Sequence, residues 1–135
     1  MVLVDDSADR VLSAARSLQR AVRRFQMPQD FRFGAAVGAI AFSTPTDGQS
    51  VRVPSAGIVI RAAARIEPHA APGTMLCTEE FLSELDERSQ PLFTPVTQNS
   101  SQGAGLLLGD DDIAVIRKND YEDPVATKLF QAPLG

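Results

Sequence analysis

At 135 residues, 44% of them hydrophobic, the chain has enough apolar side chains for one core and not for two, so a single domain over residues 1–135 is expected. No apolar run approaches the roughly 18 residues of a membrane span, and residues 1–4 are followed at once by Asp5 and Asp6, which does not read as a signal peptide. A net charge of −4 argues against a general binder of nucleic acid, and the expected location is cytoplasmic.

Val11, Ala15, Leu18, Val22 and Phe25 recur at steps of four and three residues, which predicts an amphipathic helix with Asp6 or Ser7 as N-cap and Pro28 just past its end. The arginines Arg10, Arg16, Arg20, Arg23 and Arg24 share this helix and read as a solvated face. Residues 31–42 are apolar or small on both alternating faces, as in a strand covered on both sides or buried in an interface. Gly34 and Gly38 leave space on one face of it, as at a bulge or a close backbone approach. Thr44-Pro45-Thr46-Asp47-Gly48 is turn chemistry and predicts a hairpin to a short strand at residues 51–53, which Pro54 ends.

A helix over residues 55–69, a turn at Pro72-Gly73 and a strand over 74–77 come next. Thr78 is a suitable N-cap for a short helix to Leu85, with Glu79 and Glu80 favoured in its first turn by the helix dipole. Cys77, the one cysteine, cannot form an internal disulfide and reads as a buried structural thiol. Residues 89–105 lack periodicity and read as a flexible loop with at most a short strand at 91–96. Residues 106–108 and 113–116 read as strands joined by the acidic turn Asp110-Asp111-Asp112, and 125–130 as a final extended segment. The fold class expected from this order is α/β.

Gly57, the core Ala63-Ala64-Arg65-Ile66-Glu67 and the later Ala71-Pro72-Gly73-Thr74-Met75-Leu76-Cys77-Thr78 together resemble the signature region of class III nucleotide cyclases. Phe31-Arg32-Phe33-Gly34-Ala35-Ala36-Val37-Gly38 is similar to the strand that precedes it in that family, with both glycines in register. Residues 6–25 are similar to the helix before that strand, so the resemblance covers about residues 1–85. It implies an α+β sandwich of the ferredoxin-like, cyclase type, incomplete because the first strand and the hairpin that carry the family's metal-binding aspartates fall before Met1. It also implies departures in the site: Arg61 stands where the family has its transition-state Asn, and Pro54 where it has a purine-selecting Asp.

Arg61, Arg65 and His69 are spaced by four residues and project from one helical face, a candidate phosphate or nucleotide site. By resemblance, Arg65 matches the arginine that contacts the triphosphate. Arg65 is alternatively a structural ion-pair partner for Glu67 neighbours across the fold or for the acidic residues of 79–87. A guanidinium at position 61 lacks the carbonyl acceptor of Asn, so the replacement is not conservative. The acidic turn at 110–112 offers oxygen ligands, but three consecutive residues point in different directions, so no metal site and no cofactor are expected.

These features predict a catalytically inactive cyclase-homology domain, a pseudoenzyme acting as a regulatory, interaction or sensing module in signalling. The alternatives are a nucleotide- or phosphate-binding receptor domain and the half-site subunit of a heterodimeric cyclase. The expected partner is a second copy or another cyclase-like domain, with a nucleotide as possible ligand and no nucleic acid or membrane. Phe31, Phe33, Gly34, Gly38 and Ile40 are the expected interface. An absent central strand leaves the strand of residues 31–42 in need of a neighbour, supplied by residues 106–108 or 113–116 or by the second copy.

Overall fold

The computed structural model describes residues 2–40, 42–43, 53–54, 58–98 and 108–135. Ser7 caps the first helix, α1 (Ala8–Arg24), by accepting the Arg10 N–H at 3.3 Å. The Arg10 guanidinium returns to Asp5 at 2.8 Å and to Asp6, which pins the entry to the helix. The buried stripe of α1 is Leu12, Ala15, Gln19 and Val22, with Val11 and Leu18 half-buried beside it. Phe25 falls outside the stripe: α1 ends at Arg24, and the Phe25 ring lies 72% exposed, with the Arg24 guanidinium 5.8 Å above it.

The strand expected over residues 31–42 is much shorter. Its sheet portion, β1, is Phe33–Ala35, residues 36–40 are not strand, and Phe42–Ser43 (β2) belongs to a separate antiparallel pair with Val53–Pro54 (β3). The cause is the length of its neighbour. Strand β4 (Thr74–Thr78) pairs with β1 in parallel from Phe33↔Met75 to Ala35↔Cys77, and one residue later Thr78 turns the chain into α3 (Glu79–Glu84). A longer β1 would have nothing to pair with. The chain passes instead across the second helix, α2 (Ile58–Ile66), where Gly38 lies against the Val59 side chain and Val37 is 40% exposed. The turn predicted at residues 44–48 and Gly57 lie outside the described residues.

Helix α2 tightens into a 3-10 turn over Glu67–His69, where Pro68 takes an early position that needs no N–H. Gly73 then reverses the chain with φ +75°, a conformation other residues adopt at a cost, and its N–H reaches the Phe31 carbonyl at 2.7 Å. Thr78 Oγ1 accepts the Phe81 N–H at 3.2 Å, capping α3 as its sequence predicts. Within residues 89–98 there is more order than a flexible loop: a 3-10 turn at Gln90–Leu92 and a strand β5 (Thr94–Pro95).

After the Asp110–Asp112 turn come β6 (Ile113–Ile116) and a long β7 (Val125–Pro133). Leu108 makes an isolated bridge to Ala114, whereas Leu106 and Leu107 lie outside the described residues. Among the described residues, five strands form one mixed sheet in the order β1-β4-β7-β5, with β6 pairing the first half of β7. The C-terminal strands therefore do not fill the place beside β1. Strand β6 pairs with β7, on the far side of β4, and residues 2–4 are not strand.

The sheet is covered on both faces. Met75 and Cys77 of β4 join Ala35, Ala132, Leu12, Ala15, Phe81, Leu85 and Phe93 in one core, under α1 and α3. Leu76, between them in sequence, joins Ile66, Ala70, Val96, Ala114, Ile116 and Leu129 in the other, under α2. Alternation along one strand thus feeds two cores, and the architecture is α+β with helices on both sides. Gly34 lets α2 come down on β1, because a Cβ there would lie 2.6 Å from the Glu67 nitrogen and against the Ala63 carbonyl. No helix among the described residues is long and apolar enough to cross a membrane.

Candidate functional site

Two regions gather the residues singled out by the sequence. The first is the outward face of α2. Arg61 and Arg65 lie one turn apart on it, while His69 follows in the 3-10 turn. Three residues of 3-10 geometry rotate the His69 side chain by roughly 60° relative to an unbroken α-helix, so the predicted row of three is bent at its end.

Arg65 does not pair with the acidic residues of 79–87. Its Nε and Nη2 donate to the two carboxylate oxygens of Glu122 at 2.9 and 2.8 Å, a bidentate fork between side chains only 26% and 16% exposed. Glu122 Oε2 also accepts the Lys118 N–H at 2.8 Å, which folds the turn between β6 and β7 around the same carboxylate. The hydrogen bond from Arg65 and then that from Lys118 hold the Glu122 carboxyl down to about 2, with the charges of Arg65 and Arg61 adding to the effect. Reciprocally, Glu122 raises Arg65.

Two nitrogens of α2 and of the turn that follows it are left over. Arg61 Nε and His69 Nδ1 are buried with no hydrogen-bond partner among the described residues. Around Glu122 the face therefore holds two guanidinium groups, more donors than one carboxylate satisfies among the described residues. Glu122 was not legible as a site residue, because it meets Arg65 across 57 positions of sequence and sits in a turn with no motif. Only the pairing of β6 with β7 brings it over α2.

The second region is the outer edge of β1. Among the described residues β1 has β4 as its one neighbour. Its other edge forms the floor of a groove of about 1140 Å³, walled by Val11, Ala15 and Leu18 of α1 on one side and by Val59 and Ala63 of α2 on the other. Phe31, Phe33, Gly34 and Ile40 of the predicted interface line it. Phe31 and Phe33 meet edge to face at 6.1 Å. Gly38 serves the contact with Val59.

Elsewhere the chemistry is inert. Cys77 is fully buried, and burial pushes its thiol up to about 12. The acidic turn spreads its side chains, with Asp111 and Asp112 at φ 60° and 57° and Asp112 Oδ1 accepting the Gln98 N–H at 3.2 Å. Among the described residues no three His, Cys, Asp or Glu side chains are gathered to hold a metal ion. No family model, no curated protein and no solved structure matches this chain, so its own residues carry the argument for function.

Proposed function

We propose that the chain is an interaction module of the ferredoxin-like, class III cyclase type, without cyclase activity, that pairs with a second copy of itself along the outer edge of β1. The observation that supports this reading is the outer edge of β1, which has no strand partner among the described residues and floors a mostly apolar groove walled by α1 and α2, with Asp5, Asp30, Arg32 and Glu67 also lining it. An open row of backbone donors and acceptors between two apolar walls favours an added strand, since the strand satisfies the backbone and its side chains cover the walls. Two copies related by a twofold axis would each offer the same edge, which is the commonest way for a soluble chain to close an assembly. Light scattering after size exclusion tests this. A dimer mass that Ile40→Asp reduces to a monomer supports the pairing, and a concentration-independent monomer in the parent protein rejects it.

The site residues support the proposed inactivity. Arg61 has no carbonyl oxygen with which to position a ribose, and the Arg65 guanidinium is already forked onto Glu122. Incubation with ATP or GTP and Mn²⁺ is expected to give no cyclic product by mass spectrometry. Product above a heat-killed control, lost in Arg65→Ala, would overturn the assignment.

A second reading, anion binding on the outward face of α2, is favoured by one specific observation. Arg61 Nε is buried with no partner among the described residues, and its charge acts on a carboxylate that among them engages Arg65 and the Lys118 N–H. Unpaired buried polar groups cost stability, and an oxyanion with three or four oxygens can satisfy donors that a carboxylate leaves over. Titration calorimetry with ATP, GTP and pyrophosphate tests it, with loss of binding in Arg65→Ala as the expected result.

A further inference from the structure

We propose that Glu122 is the resident anion of the α2 face, a latch whose carboxylate occupies the position of an incoming phosphate and whose release frees the turn between β6 and β7. The inference rests on the reading of Arg61 and Arg65 as an anion-binding pair. The Glu122 carboxylate takes the Nε–Nη2 edge of the Arg65 guanidinium with both of its oxygens, which is the geometry a phosphate takes on the same group. It comes from a turn, not from a regular element, so its departure breaks no strand pairing: β6 ends at Ile116 and β7 begins at Val125. A single residue also closes that turn on itself, through the Lys118 N–H bond to Glu122 Oε2 at 2.8 Å. When Glu122 leaves Arg65, the turn loses its hydrogen bonds to α2 and keeps only bonds internal to it, from the Lys118 N–H to Glu122, from the Tyr121 N–H to Asn119 Oδ1 at 3.0 Å and from the Glu122 N–H to the Asn119 carbonyl at 3.4 Å. The carboxylate leaves Arg61 Nε unsatisfied, so a larger oxyanion that reaches both arginines gains a partner that Glu122 does not offer.

The sequence supplies its own reporter. Tyr121 is the one tyrosine of a chain without tryptophan, it adjoins Glu122, and it is 99% exposed. Its fluorescence anisotropy reads the mobility of this turn directly. Adding pyrophosphate to the wild-type protein is expected to lower Tyr121 anisotropy as the turn is released. Glu122→Gln keeps the shape of the side chain and removes its charge, and it is expected to bind pyrophosphate roughly ten-fold more tightly than the parent, the scale of a lost charge-assisted competitor. Glu122→Gln combined with Arg65→Ala is expected to lose that gain. Pyrophosphate that binds the wild type without changing Tyr121 anisotropy, or that binds Glu122→Gln no more tightly, overturns the latch and leaves the anion site standing. No heat with either protein removes both. The wild-type fluorescence measurement decides the matter even if a variant fails to fold.

Discussion

Glu122 joins two distant parts of the chain through a carboxylate, and that makes the junction sensitive to acid. It stays ionised in the folded protein down to about 2, held there first by the hydrogen bond from Arg65, then by the Lys118 N–H and the charges of Arg65 and Arg61. An unfolded glutamate takes up its proton near about 4.3. A depressed folded value means that the stabilisation is fully present above the unfolded value and is lost as pH falls towards the folded one. Denaturant midpoints of the wild type and Glu122→Gln should therefore differ at neutral pH and converge between about pH 4 and pH 2. A gap that acid leaves unchanged would mean that the carboxylate is not its source. Cys77 behaves in the opposite sense, because burial raises its thiol to about 12 and leaves it protonated at working pH. A disulfide reagent should leave the native protein unmodified and label one thiol in denaturant, and rapid labelling of the native state would show that β4 opens to solvent despite the burial of Cys77.

At the scale of elements, the caps and the two cores decide stability. Phe81, 1% exposed, is the side chain by which α3 enters the core under α1. Phe81→Ala should cost about 3–5 kcal/mol in chemical denaturation, the usual range for emptying such a site. Thr78→Ala removes one cap bond and should cost about 1 kcal/mol; a loss equal to that of Phe81→Ala would show that Thr78 does more than cap. The three helices, β4 and the Thr78 cap were legible in the sequence because each rests on local signals: a period of four and three, a capping hydroxyl, a glycine turn. One element was not. The apolar run at 31–42 has the composition of a long strand, but strand length is set by the partner, and β4 ends at Thr78. Of the candidate site, Arg61 and Arg65 were legible from spacing alone. The Glu122 partner was not, because an ion pair across 57 residues leaves no periodic trace.

The whole molecule is organised around β7. It pairs with β4 through Leu129–Pro133, with β5 at Phe130 and Gln131, and with β6 through Val125–Lys128. Every one of these partners precedes it in sequence. During synthesis β5 and β6 therefore emerge without the strand they pair with, and β4 has β1 alone, so α1 and α3 meet only a two-stranded fragment of the sheet. Assembly of the described sheet is therefore expected to wait until residues 125–133 have left the ribosome. A chain halted before residue 125 should be digested by protease at a rate typical of an unfolded polypeptide, while one extended past residue 135 by a linker long enough to clear the exit tunnel should resist. Protection of the shorter chain would place the folding decision in β1 and β4 instead. In a cell, the interval before β7 appears is the time for which chaperones must shield this protein.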